Sequence, residues 1–373
     1  MTTTQQTPAV ETTEEGPSPA EAFAGRVFES ALGATDLYAI YVGDRLGLYA
    51  ALADGGPATS AELARRASID ERYAREWLEQ QAVSEIVEVP DPDPDPLTRR
   101  YALPEAHAEV LLEQESLNFA GALARAIVGV AEQAPALLEA YRSGSGVDYA
   151  SYGSDIIEGQ AAMNRPAFVN LLGSEWLPAI EDVHARLSGD PPARVADIGC
   201  GAAWSSIAIA RAYPAVQVEG FDLDEASVAL GRANVREAGL EGRVTVHQRD
   251  AADPSLIGRY DLVTALETLH DMARPVEALR TMRGLVAEGG AVIVMDERVA
   301  DEFTLPADPL ERFFYGASLL LCLPTARTET PSAATGTVMR RPTLERYARE
   351  AGFSSVEVLP IEFPFFRFYR LHV

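Results

Sequence analysis

Five short stretches of this chain carry residue types that could do chemistry together. The first is Val195-Ala196-Asp197-Ile198-Gly199-Cys200-Gly201-Ala202-Ala203-Trp204, where an apolar run ends in an acid and two glycines. Glycine lets backbone approach a ligand closely, and a helix starting at once offers free amide donors and the positive end of its dipole. Asp222 closes the next apolar run, Val218–Phe221, 25 positions after Asp197. An acid at such a place suits a ribose diol, because a carboxylate accepts from both hydroxyls. Asp250 and Ala251 follow a third run, Val244–Arg249. Glu267 and then Leu269-His270-Asp271 follow a fourth run that begins Tyr260-Asp261-Leu262-Val263, and a fifth, Gly289–Met295, ends at Asp296. An imidazole such as His270 is a natural base near pH 7, and a carboxylate such as Asp296 behind it fixes the tautomer.

Those runs have to be strands with helices between them. Strands are expected at 193–198, 216–221, 243–248, 260–265 and 290–296, with helices at 203–212, 224–238 and 274–287. Such alternation requires a mostly parallel sheet covered on both faces, so the fold class is α/β and doubly wound. Ser354–Pro360 and Pro364–Leu371 lie too close for a crossover and predict an antiparallel hairpin at the sheet edge.

The N-terminal part reads differently. Apolar residues from Phe23 to Leu48 recur at mostly helical spacing and predict two helices with Gly33 and Gly43 as soft points. Ser60 and Asp70 then open two short helices, and Glu85–Val89 and Arg99–Leu103 have the pattern of two strands, which together make a winged helix. The wing tip, Pro90 to Pro96, alternates proline with aspartate and cannot join a sheet, because proline lacks the donor. We divide the chain into a disordered tail (1–20), a winged-helix domain (21–115), a helical bridge (116–190) and a catalytic domain (191–373). In the bridge, Tyr149, Tyr152, Asp155, Gln160, Asn164 and Phe168 are candidates to line an acceptor pocket. Phe313, Phe314 and Tyr315 could wall it from the far side.

Composition excludes other functions. All 31 basic side chains are arginine, so Schiff-base and pyridoxal-phosphate chemistry, a Walker-type phosphate loop and ordinary kinase chemistry are ruled out. The net charge of −25 repels nucleic-acid backbones and anionic membranes. Even the helix Asp70–Ala82 carries two arginines against four acids, a net of −2, so no nucleic-acid partner is expected. No apolar run reaches the ~18 residues of a membrane span. Cys200 and Cys322 are 122 positions apart, with no metal-ligand spacing, and a reduced cytoplasmic compartment fits them best. No metal site is expected.

At the five stretches the chain resembles the class I S-adenosylmethionine-dependent methyltransferases, from about Arg194 onward. The family's acid and first two alternating glycines are Asp197, Gly199 and Gly201, with Cys200 between them and Ala203 at the third glycine position. The NAD fingerprint fits less well, because it lacks an acid before the first glycine. The resemblance implies that Gly199 and Gly201 pass beneath the methionine part of S-adenosylmethionine and that Asp222 holds the ribose. It also implies that Leu223 packs on adenine, that Asp250 with Ala251 reads its edge, and that Glu267 belongs to the cofactor contacts. Leu269-His270-Asp271 is similar to the Leu-His-Asp-Trp motif of plant-type and actinobacterial small-molecule O-methyltransferases, with Met272 in place of tryptophan. That likeness implies His270 as general base, Asp296 as its orienter, a winged-helix homodimer, and a small-molecule hydroxyl as methyl acceptor. Tyr152, Asn164, Phe168 and Phe314 are the expected acceptor contacts. Two rivals remain at this level: the same fold and cofactor used for nonmethylating chemistry, and a noncatalytic winged-helix regulatory protein.

Overall fold

The computed structural model describes residues 16–93 and 95–373. The tail expected over 1–20 therefore lies outside the described residues up to residue 15, and Pro19 and Ala20 already belong to a helix. Helix α1 (Pro19–Arg45) starts from a capping box in which the Ser18 hydroxyl accepts from the Glu21 amide and the Glu21 carboxylate accepts from the Ser18 amide. Two orphan donors are satisfied at once, which sets the start. The break before α2 (Leu48–Gly55) comes at Gly47, whose φ of 66° ends the helical path, and not at Gly33 or Gly43.

Next come α3 (Ser60–Ala67), capped by Thr59, and α4 (Glu71–Val83), capped by Asp70. Leu48, Leu52, Leu63, Trp77, Leu78, Val87 and Tyr101 form the core of this domain. The two strands expected beyond α4 shrink to single bridges, Glu88 with Ala102 and Ala58 with Tyr101. Pro90, Pro92 and Pro96 have no N–H to extend the ladder, and Pro94 lies outside the described residues.

Helix α5 (Glu105–Leu112) closes the winged-helix domain, and the bridge comprises α6 (Ala122–Glu132), α7 (Ala134–Ser143) and α8 (Gly153–Ala167). The last runs on through wider turns to Trp176 because Pro166, inside the helix, removes a backbone donor. An ionic network ties this layer to α1. Arg125 of α6 grips Asp44 through two nitrogens, at 2.5 and 2.9 Å, and reaches Glu158 of α8 at 3.2 Å. Arg45 pairs with Glu158 at 3.3 Å, and the Tyr41 hydroxyl donates to Asp155 at 2.7 Å.

After α9 (Glu181–Leu187) the seven-stranded sheet begins. Its strands are β1 (Arg194–Ile198), β2 (Gln217–Asp222), β3 (Val244–Gln248), β4 (Tyr260–Leu266), β5 (Val286–Glu297), β6 (Ser355–Val358) and β7 (Phe366–His372), in the order β3-β2-β1-β4-β5-β7-β6. The first five pair in parallel and β7 is antiparallel to both neighbours. All five strands expected for this sheet and its edge hairpin are present. β5 begins four residues early, at Val286, and its pairing with β4 slips between Tyr260 and Leu262. Helices α10 (Trp204–Ala212), α11 (Glu225–Glu237), α12 (Pro275–Leu285), α13 (Pro309–Ala317), α14 (Leu323–Ala326) and α15 (Arg341–Ala351) complete the chain. One face of the sheet buries Val195, Val218, Val246 and Ile293 beneath Trp176 and Ile207, while the other buries Ile198, Val263 and Val294 beneath Leu279, Met282 and Leu344. The strand order reverses between β1 and β4, and crevices in open α/β sheets form at the carboxyl ends of strands at such a point.

Candidate active site

At that point lies a cleft of about 510 Å³, roofed by the bridge, within the range of small-molecule sites. Its floor is the loop after β1. Gly199 and Gly201 have φ of 66° and 49°, a region that glycine enters without steric cost, and Ala203 at the third position is also left-handed, at 64°. A Cβ on Gly199 would run into the Thr268 side chain, so this glycine is required for the loop to pass the end of β4.

Asp197 does not line the cleft, which corrects its expected place among the cofactor contacts. It is buried, and its carboxylate accepts from the hydroxyls of Ser205 and Ser206 at 2.6 Å and of Thr264 at 2.8 Å. It fastens α10 and β4 to the loop. Burial pushes its carboxyl up, and the three hydroxyls pull it back toward the ionised form. Asp222 does line the cleft. One oxygen accepts the Gly201 amide at 2.8 Å and the other the Asp224 amide at 2.9 Å. Burial raises its carboxyl above the usual range despite those bonds. Leu223, Asp250, Ala251, Cys200, Glu267, Asn164 and Phe168 also face the cleft, as does Tyr149. The two oxygens of Asp250 hold the Ala252 amide and the Arg274 guanidinium, and Arg274 reaches on to Glu329 at 3.2 Å.

Four further residues lie elsewhere than expected. The Tyr152 hydroxyl donates to the Leu320 carbonyl, within a small core that also holds Ile156 and Cys322, so the ring packs the bridge and does not wall the cleft. Phe314 is buried against Phe313, away from the cleft. His270 and Asp296 are also behind the wall: His270 is 2 % exposed and both ring nitrogens already face carboxylates. Nδ1 lies 2.9 Å from Asp296 and 3.0 Å from Glu297, and Nε2 lies 3.0 Å from Asp271. Burial alone would lower the imidazole's pKa, but Asp271, Glu297 and Asp296 together hold it well above 6.5. His270 therefore sits in a carboxylate cage that favours its charged form, and the expected pairing with Asp296 is present with both ring nitrogens already facing carboxylates and turned away from the cleft. Asp296 is held below its ordinary range, against the cost of burial, by His270 and by Glu297. Glu297 is pushed well above its own by burial and by Asp296, against the pull of His270.

Glu267 differs from its neighbours. It sits just past β4 with φ of 57°, uncommon for a side chain with a Cβ, and its amide donates to the Met295 carbonyl at 2.8 Å. Its Oε2 is buried without a hydrogen-bond partner. Burial pushes the carboxyl up to about 7; Asp271 and Asp296 add to the rise, while His270 and Asn164 oppose it.

Sequence reasoning missed Glu297, Arg274, Thr325, Thr328 and Glu329 as parts of the site or its support. Glu297 directly follows Asp296 at a strand end, and that doubling of acids was the available signal. The last three come from a segment whose approach to the cleft depends on how α14 folds back.

Comparison with known proteins places two domains on this architecture. Residues 34–113 match the Rv2258c-like winged HTH domain, and residues 190–323 match a methyltransferase domain. A ubiquinone biosynthesis O-methyltransferase of Stutzerimonas stutzeri is 34% identical over 127 residues, which are 33% of this chain and 50% of that protein. The chain thus spans about half the length of that relative. Among solved structures, an O-methyltransferase family protein from Burkholderia thailandensis (17% identical, TM-score 0.66) covers 96% of this chain and 98% of its own. Human N-acetylserotonin methyltransferase, solved in complex with S-adenosylmethionine, is 16% identical with a TM-score of 0.66 and covers 96% of this chain and 99% of its own. At these identities the likeness is one of fold. The chain joins an Rv2258c-like winged helix-turn-helix domain to a methyltransferase domain on a Rossmann-like seven-stranded sheet.

Proposed function

We propose that this protein binds S-adenosylmethionine in the cleft and transfers a methyl group to a hydroxyl of a small molecule. The observation that carries this reading is the loop Gly199–Gly201 lying against Asp222 at the switch point of the sheet. Two glycines leave the floor without side chains, and each Asp222 oxygen accepts only one amide, which leaves lone pairs for a ribose diol. When bound, S-adenosylmethionine supplies an electrophilic methyl on a sulfonium. Leu223 and Ala251 flank the place for adenine, with Asp250 and the Ala252 amide at its edge. Tyr149, Gln160, Asn164 and Phe168 from the bridge, with Met272 from the segment after β4, face the acceptor. Most of the rate gain on this reading comes from holding the acceptor oxygen in line with the methyl, which is positioning.

His270 contributes by position. Its charge neutralises the carboxylates behind the wall and orients Asp271, which does face the cleft. The chain acts as a homodimer through α1, where Phe23, Val27, Phe28 and Leu32 are exposed along one helix with none of the described residues burying them. Among the described residues no helix is long and apolar enough to cross a membrane. Calorimetry with S-adenosylmethionine, followed by transfer of labelled methyl to a panel of phenols and polyketides, tests the reading. A protein that binds no S-adenosylmethionine refutes it.

A further inference from the structure

Resting on the methyl-transfer reading above, we propose that Glu267 takes the proton from the acceptor hydroxyl. The group for this task has to touch the cleft, keep an open lone pair and be shielded from water, and Glu267 meets all three conditions. It lines the cleft at the carboxyl end of β4, beside the Thr268 side chain that packs on Gly199. Its Oε2 is buried and has no partner, a costly state for a carboxyl. Its backbone is held at φ 57°, and strain of this kind in a non-glycine residue concentrates at functional positions.

The other candidates in the same wall are turned toward one another, and although the Asp271 Oδ1 also makes no hydrogen bond, it is directed at the imidazole and not into open space. Both His270 nitrogens face carboxylates, and Asp271 faces the His270 Nε2 at 3.0 Å. The groups around Glu267 also tune it. Asp271 from the turn after β4 and Asp296 from β5 repel its charge, whereas His270 and the Asn164 amide of α8 favour it, and burial outweighs them all. The balance lies near neutrality, where a carboxylate is as strong a base as an imidazole.

In the step, the acceptor O–H bond breaks and its proton passes to the Glu267 carboxylate. The oxygen uses the freed pair to bond the methyl, the methyl–sulfur bond breaks, and its pair remains on sulfur as a neutral thioether. Glu267 then returns the proton to water.

Two measurements on the full chain test this. In difference infrared spectra of cofactor-free protein, wild type against Glu267→Gln, a carboxyl band should titrate near pH 7. With an acceptor, Glu267→Gln should lower kcat by about 10²–10⁴-fold and abolish its rise with pH near neutrality, while affinity for S-adenosylmethionine changes less than about threefold. Glu267→Asp should recover part of the loss and of the pH dependence. A melting transition like wild type's confirms that the variants fold. Near-normal kcat in Glu267→Gln overturns the proposal, as does the absence of the titrating band. Retained kcat with affinity for S-adenosylmethionine lowered more than tenfold overturns it in favour of a counter-ion for the cofactor's ammonium. If the wild type binds no S-adenosylmethionine, the methyl-transfer reading fails first, and calorimetry shows this separately.

Discussion

Replacing His270 by alanine separates two roles that a histidine in this motif can play. Among the described residues, its imidazole is the basic group paired with Asp271, Asp296 and Glu297, at 2.9 to 3.0 Å from each, and it is almost wholly buried. Removing one partner of a buried, hydrogen-bonded charge set costs about 3–5 kcal/mol, because the remaining charges stay desolvated without compensation. Against a total stability of about 5–15 kcal/mol, that is a large fraction. The pH dependence follows from the signs. In wild type the histidine's folded pKa is raised, so its contribution is complete below the ordinary 6.5 and is lost only as pH rises through the higher folded value. In the variant Asp296 loses the partner that holds its carboxyl down against burial, so its folded value should rise above the ordinary one and the variant's stability should fall as pH rises from about 4 upward. Between pH 5 and 6.5 the wild-type contribution is constant, and the gap between the two proteins should widen with pH over that window. Urea melts at pH 5, 6 and 7 measure this. A variant within about 1 kcal/mol of wild type at pH 7, yet slowed more than 10²-fold in turnover, would show that His270 is a direct base and not the cation of a cage.

Asp222→Ala should weaken S-adenosylmethionine binding by about 2–3 kcal/mol, some 30–150-fold in Kd by calorimetry, since two hydroxyls lose a charged acceptor; an unchanged Kd contradicts the ribose assignment. Ala203→Gly should stabilise the chain by up to about 1 kcal/mol, raising Tm by about 2 °C, because Ala203 now bears a φ of 64° that glycine adopts freely; a lowered Tm means its methyl packing outweighs the strain. Phe28→Asp, at a position 64% exposed, should leave circular dichroism unchanged and turn a dimer into a monomer in light scattering; a persistent dimer places the interface elsewhere.

The catalytic domain was legible because strand period and glycine placement are local signals. β1 to β4 and the helices between them fall within about two residues of expectation, and Gly199, Gly201 and Asp222 meet at one crevice because a parallel sheet brings strand ends together. Depth was not legible. His270, Asp296 and Asp197 stand in the right elements, yet they lie behind the cleft wall, and a sequence does not say whether a polar side chain at a strand end faces the cavity or the neighbouring strand. Tyr152 and Phe314 failed for a similar reason, since an aromatic ring on a bridging helix has several faces to pack against. The winged helix was legible in its cap Asp70, and one residue late in the other, since Thr59 and not Ser60 caps the first short helix, but its strands were not, because β pairing depends on a partner whose prolines withhold their donors.

The ionic network between α1 and the bridge has a mechanical meaning. Asp155 and Glu158 sit on α8, the helix that also presents Gln160 and Asn164 to the cleft, and both are held by residues near the end of α1. A tilt of α8 that opens or narrows the cleft must either snap these charge pairs or drag α1 along as one lever. Motion at the cleft mouth is thereby transmitted to the exposed apolar edge of α1, through a joint whose stiffness falls as added salt screens its outer pairs.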